Sequence, residues 1–171
     1  LASLVARGAS GAPTQPTLSI NDVSQSEGNS GNKSFVFAVT LSAPSDKTVK
    51  VDYDAVNGSA TVGSDFNPSQ GSLSFDPGQT SATITVTVRG DTTYEPDETF
   101  FVNLSNPRFA TIADGQGQGT IVNDDQPSPA LSINDVTVVE GTGATPTPAT
   151  FTVKLTSPAA SDITFDIATQ D

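Results

Sequence analysis

The sequence predicts an all-β protein, an immunoglobulin-like antiparallel β-sandwich present as one complete unit followed by an incomplete second unit. Three observations lead there. Apolar residues alternate with polar ones at a period of two, between turns rich in Gly, Pro, Asn and Asp. A long segment recurs later in the chain, which marks tandem units. The composition, with 14 Gly and 12 Pro among 171 residues and much Thr, Ser, Val and Asp, suits many short strands and suits helices poorly. No stretch shows a convincing helical period.

The elements follow in order. The opening strand lies in 18–28, LSINDVSQSEG, and ends at Glu27-Gly28. Phe35, Phe37, Val39 and Leu41 then alternate with Val36, Ala38 and Thr40. Val49, Val51 and Tyr53 form the next alternating run, and Gly63-Ser64-Asp65-Phe66 reads as a turn. Leu73-Ser74-Phe75 is a short strand stopped by Asp76-Pro77-Gly78. Ala82, Ile84, Val86 and Val88 alternate with threonines. An acidic loop from Gly90 to Glu98 leads into Phe100, Val102 and Leu104, which end at Asn106-Pro107. Ile112 and Ile121 mark the last hairpin, with Asp114 as a turn residue, and Asn123-Asp124-Asp125 closes the unit. Phe35, Phe37, Phe75, Phe100 and Phe101 read as core or near-core strand residues.

Residues 131–141, LSINDVTVVEG, match 18–28 at eight of eleven positions. After one inserted residue the match resumes: Phe37, Val39, Leu41 and Pro44 pair with Phe151, Val153, Leu155 and Pro158. Val49, Val51 and Tyr53 pair with Ile163, Phe165 and Ile167. The expected organisation is a leader or linker over 1–15, a complete unit over 16–126 and the N-terminal part of a second unit over 127–171. Half a sandwich cannot bury both faces of its strands. The chain is therefore expected to be cut from a longer tandem array, or to have its missing strands supplied by a partner, with Leu1–Ala6 as one segment that could be donated.

Nineteen acidic residues face seven basic ones, a net charge of -12, and there is no His, Cys, Met or Trp. Serine triads, thiol nucleophiles, zinc fingers, haem ligation and disulfides are excluded by these absences. A net acidic surface repels phosphate backbones, so no nucleic-acid partner is expected. No apolar run approaches the roughly 20 residues of a membrane span. A glycosidase pair such as Asp91 with Glu95 would ordinarily be accompanied by aromatic platforms, and the chain has no Trp and two Tyr. The abundant side-chain oxygens favour a hard cation, calcium first.

The acids collect at strand ends and turns: Glu27-Gly28, the GSDF turn, the loop GDTTYEPDE and the NDD run. Loops at one end of a sandwich cluster, so these turns can meet. GSDF, then GDTTYEPDETFFVNLSNP, then GTIVNDD, in that order, resembles the Calx-beta motif. That family includes the calcium-regulatory domains of sodium/calcium exchangers, a cytoplasmic segment of integrin β4 and many bacterial surface proteins. The resemblance covers the complete unit and the start of the second. It implies a calcium site held by Glu27, Asp65, Asp91, Glu95, Glu98, Asp124 and Asp125, with one to three ions per full unit. The chain departs from the exchanger pattern at Gly90, where the exchanger domain has an acid, and at Asn123, where it has a third aspartate. Asp97 is left out as a surface charge, and Asp22 and Asp135 are read as turn caps. The expected function is a calcium-binding structural or adhesive repeat, calcium rigidifying the loops and the junction between units, in an extracellular or cell-surface, bacterial setting. Its expected partners are calcium ions and neighbouring repeats or identical subunits. The alternatives are a metal-independent filament or matrix subunit assembling by strand donation, and a calcium sensor of a larger transporter or enzyme.

Overall fold

A computed structural model describes residues 15–159 and 161–169, so the leader and the donated-strand expectation for Leu1–Ala6 lie outside the described residues. The chain divides into two units, Leu1–Asp125 and Gln126–Asp171. Among the described residues there is no helix, and hence none long and apolar enough to cross a membrane.

The first unit is a two-sheet sandwich. Its strands are β1 (Thr17–Ile20), β2 (Val23–Ser26), β3 (Gly31–Leu41), β4 (Val49–Asn57), β5 (Gln70–Phe75), β6 (Ser81–Gly90), β7 (Glu98–Arg108), β8 (Thr111–Ile112) and β9 (Gln116–Val122). One sheet runs β6-β3-β1-β8 and the other β2-β9-β7-β4-β5. Pairing is antiparallel except for two short parallel contacts, β1 with β8 and β2 with β9.

Those parallel contacts arise because the expected single opening strand is two. At Asn21-Asp22 the chain leaves one sheet for the other. The Asn21 side chain accepts from the Ala38 amide of β3, and Asp22 Oδ1 accepts from the Gln118 amide of β9 at 2.7 Å. Each residue thus satisfies a backbone donor of a different sheet, which holds the corner.

The inward residues are those of the alternation: Phe35, Phe37, Val39 and Leu41 from β3, Val49 and Val51 from β4, Ile84, Val86 and Val88 from β6, and Phe100 and Val102 from β7 are buried. Burial of such side chains contributes about 1.5–3 kcal/mol each. Phe101 points the other way and is only partly covered, as the period of two requires. Phe66, expected in a turn, is fully buried and stacks on Phe100 with ring centroids 4.7 Å apart. Phe100 also meets Phe35 at 5.7 Å and Phe37 at 5.9 Å, so one ring ties both sheets to the β4–β5 loop. β7 continues past the expected stop at Asn106-Pro107. Asn106 takes φ 51° there, and the register against β4 shifts between Lys50 and Asp52.

The second unit contains β10 (Leu131–Ile133) paired antiparallel with β11 (Val153–Leu155). The expected strand over Ile163–Ile167 is not formed among the described residues. Its counterpart β4 is flanked by β5 and β7 in the first unit.

Candidate metal centre

Five segments of the first unit bring carboxylates toward one end of the sandwich: the end of β2, the β4–β5 loop, the β6–β7 loop, the start of β7 and the residues after β9. Each is fixed locally. Glu27 follows β2, and its amide donates to the Val122 carbonyl of β9. Asp65 sits in a loop turned at Gly63, whose φ of 99° belongs to the left-handed region that glycine adopts without strain. Asp65 Oδ2 accepts from the Thr61 amide at 2.7 Å, and the Asp65 carbonyl accepts from the Arg89 amide at 2.8 Å. The buried ring of Phe66 anchors the same loop from below. Asp91 turns the loop after β6 by accepting from the Thr93 amide at 2.6 Å. Asp124 Oδ1 accepts from the Gly28 amide at 3.1 Å, joining the two chain segments that end β2 and β9.

Two neighbourhoods result. Asp65, Glu95 and Glu98 each offer one carboxylate oxygen, and these lie within 4.8 Å of one another. Burial, followed by the charge of Asp65, its hydrogen bond and the charge of Glu95, pushes the Glu98 carboxyl above its ordinary range. The other neighbourhood surrounds Glu27, which is 8% exposed. Burial first, then the charges of Asp91, Asp125, Glu95 and Asp124, push its carboxyl up to about 7. Glu95 acts on both Glu27 and Glu98 and so stands between the two groups.

Asp125 is 6% exposed. Its Oδ1 accepts from the Asn29 side chain at 2.7 Å, while its Oδ2 is buried without any hydrogen-bond partner. A buried carboxylate oxygen left unpaired is costly, on the order of 1–3 kcal/mol or more. Repulsion among unit charges 4–5 Å apart adds roughly 3–4 kcal/mol per pair at an effective dielectric near 20. An orphaned oxygen, carboxyls pushed upward and an all-oxygen donor set fit a hard divalent cation such as calcium.

All seven carboxylates marked by the resemblance lie on these five segments. Two residues outside that set brace them. Asn123 accepts from the Glu95 amide at 3.4 Å and donates to the Asp125 carbonyl at 3.1 Å. Asp97, expected to be a surface charge, accepts from the Asn123 amide at 3.0 Å. Gly90 has a spatial cause too: a β-carbon there would overlap the Gly28 carbonyl oxygen and stand 2.7 Å from that of Glu27. The end of β6, one residue before Asp91, comes that close to the segment carrying Glu27, and a side chain at position 90 has no room in this backbone.

A family model described as Calx-beta domain matches residues 15–125. Among curated proteins, sodium/calcium exchanger 2 of Rattus norvegicus is 43% identical over 70 residues, covering 41% of this chain and 7% of that protein. Sodium/calcium exchanger 3 of Homo sapiens is 35% identical over 83 residues, covering 48% and 9%. The chain therefore spans less than a tenth of the length of these relatives. Among solved structures, calcium binding domain CBD12 of CALX1.1 superposes with a TM-score of 0.57 at 25% identity, covering 63% of this chain and 44% of that one. The apo-form Calx CBD1 domain superposes with a TM-score of 0.53 at 24% identity, covering 64% and 99%, a likeness of fold. The extracellular or cell-surface location expected from the sequence is corrected by these relatives: they are sodium/calcium exchangers, not secreted or surface-attached adhesins. They lend no support to an adhesive or filament role either.

Proposed function

The chain belongs to the Calx-beta domain family, and from that premise we propose that its first unit is a calcium-binding regulatory module of a larger protein, with the ions held by Glu27, Asp65, Asp91, Glu95, Glu98, Asp124 and Asp125. The observation that carries the reading is the convergence of these carboxylates from five separate segments, with Asp125 Oδ2 buried and unpartnered among them. The exchanger relatives and the calcium-binding domain structure support regulation over a purely mechanical role.

When bound, calcium supplies the positive charge that the cluster lacks. The protein's own residues do the rest. Burial and neighbouring acids raise the Glu27 carboxyl to about 7 and push the Glu98 carboxyl above its ordinary range, so ion uptake near pH 7 displaces protons from Glu27. Asp65 and Asp91 hold the two long loops, Glu95 stands between the two groups, and Asp124 and Asp125 end the unit one residue before the next begins. A ligand shared by these segments couples their order to calcium concentration, which is the property a regulatory module needs.

The test is thermal unfolding in excess calcium and in chelator, beside the double variant Asp91→Asn/Glu95→Gln. At about a hundredfold excess over Kd, linkage adds about 2.7 kcal/mol, a rise in Tm on the order of 10 °C. The double variant is expected to lose most of that rise. Superimposable curves with calcium and with chelator would remove the regulatory reading.

A further inference from the structure

The loop that carries Asp65 is tethered by a base that belongs to neither carboxylate group. β6 turns Ile84, Val86 and Val88 into the core, and its other face carries Thr83, Thr85, Thr87 and, last, Arg89. Arg89 is thus the one long side chain at the end of a row of threonines. In its sheet β6 is an edge strand beside β3. The loop between β4 and β5, strands of the other sheet, lies along that edge: Phe66 bridges Val88, and the Asn67 amide donates to the Thr87 carbonyl at 2.8 Å.

Arg89 grips this loop at every second residue. Its amide donates to the Asp65 carbonyl at 2.8 Å. Its Nε donates to Asn67 Oδ1 at 2.9 Å, and its Nη1 donates to the Gly63 carbonyl. Arginine ordinarily forks onto a carboxylate. Here both side-chain acceptors are neutral, so the guanidinium takes no oxygen from the group of Asp65, Glu95 and Glu98.

The grip reaches the Asp65 carboxylate through the loop's own bonds. The Gly63 amide donates to the Phe66 carbonyl at 2.8 Å, and the Asp65 amide to the Thr61 carbonyl at 3.0 Å. The Thr61 amide holds Asp65 Oδ2 at 2.7 Å. Residues 61–66 are therefore one hydrogen-bonded tip, and the carboxylate follows wherever the tip is placed. Two side chains place it from opposite sheets. Asn57 of β4 accepts from the Val62 amide at 2.8 Å, and Arg89 of β6 donates to Gly63.

We propose that Arg89 is a positioning residue for calcium. The proposal rests on the calcium-binding reading above. Arg89 sets the affinity of the ion position at Asp65, Glu95 and Glu98 by holding the Asp65 loop in place before the ion arrives. It acts by its two-pronged grip and not by its charge. A loop already ordered loses less freedom on binding. The Glu27 neighbourhood stands on other segments and does not depend on this grip.

Calcium titrations of the parent chain, Arg89→Gln and Arg89→Lys test this. A lysine keeps the charge but is a point donor that cannot reproduce the fork. Both variants are expected to bind about 10–100-fold more weakly at one ion position, the usual effect of losing a partner that orients a metal ligand. In chelator, the amides of Thr61, Gly63 and Asp65 are expected to exchange faster in Arg89→Gln, while those of β3 do not change. The loss of affinity is expected to vanish in an Asp65→Asn background and to persist in a Glu27→Gln background, because Arg89 acts through Asp65. Asn67→Ala removes one of the two acceptors and is expected to weaken binding in the same direction, by less. Parent-like affinity in Arg89→Gln would overturn the proposal, and so would an equal loss in the Asp65→Asn background. Parent-like affinity in Arg89→Lys would overturn it by assigning the effect to charge. Should Arg89→Gln fail to fold, unchanged affinity in Asn67→Ala would overturn it. A parent chain that binds no calcium would overturn the calcium reading itself, a result distinct from all of these.

Discussion

At Asp125 the demands of the metal-free and metal-bound states oppose each other, and a substitution separates them. Asp125→Asn keeps the acceptor for Asn29 and removes a buried charge from a crowded cluster. Its Tm in chelator is expected to equal or exceed that of the parent, while its rise on adding calcium shrinks, as read by scanning calorimetry. Glu27 gives a pH signature. Its carboxyl is raised from 4.5 to about 7, so the folded state binds the proton more tightly than the unfolded chain does. The stability it contributes without metal is full below pH 4.5 and is lost as pH rises through about 7. Tm in chelator is therefore expected to fall across that window, Glu27→Gln is expected to flatten the fall, and calcium is expected to offset it. The acids themselves were legible, because they stand in a motif and at strand ends. The bracing roles of Asn123 and Asp97 were not: Asp97 is exposed, as read, yet it also accepts from the Asn123 amide, and nothing in the local sequence marks that long-range contact.

Individual strands show why most of the fold could be read and where reading stopped. Phe35 to Leu41 and Ala82 to Val88 alternate without interruption, because each strand buries one face against the opposite sheet. The corner at Asn21-Asp22 escaped although the spacing from Ile20 to Val23 breaks the period of two there; the pairing partners show the change of sheet. Phe66 escaped because it follows three turn-forming residues, yet its ring is what fastens the loop of Asp65 to the core. Phe66→Ala is expected to cost about 3–5 kcal/mol in chemical denaturation and to weaken calcium binding, although Phe66 itself offers no oxygen. Gly90→Asp, which would add an acid beside the cluster, is expected to destabilise the unit by roughly 1–3 kcal/mol, since its β-carbon would meet the Gly28 carbonyl. Its calcium-induced rise in Tm is expected not to exceed that of the parent.

On the scale of the whole chain, stability and charge are unevenly distributed. The first unit holds two sheets around one core, and the second holds a two-stranded pair whose apolar side chains are partly exposed. Isolated two-stranded pairs are marginal, so the amides of β10 and β11 are expected to exchange far faster than those of β3 and β6 in hydrogen-exchange measurements on the unliganded chain. The internal repeat made the second unit visible in the sequence, while no strand over Ile163–Ile167 is formed among the described residues. The net charge of -12 is a cost carried by the whole molecule, and the first unit concentrates much of it at one end. The central claim is that this end is built to take up calcium. Isothermal titration of calcium into the metal-free chain and into Asp91→Asn/Glu95→Gln tests it most directly. Binding of at least one ion per chain, accompanied by proton release near pH 7 and lost or strongly weakened in the double variant, is the predicted result. Absence of binding heat in the parent chain, or an identical isotherm in the variant, would contradict it.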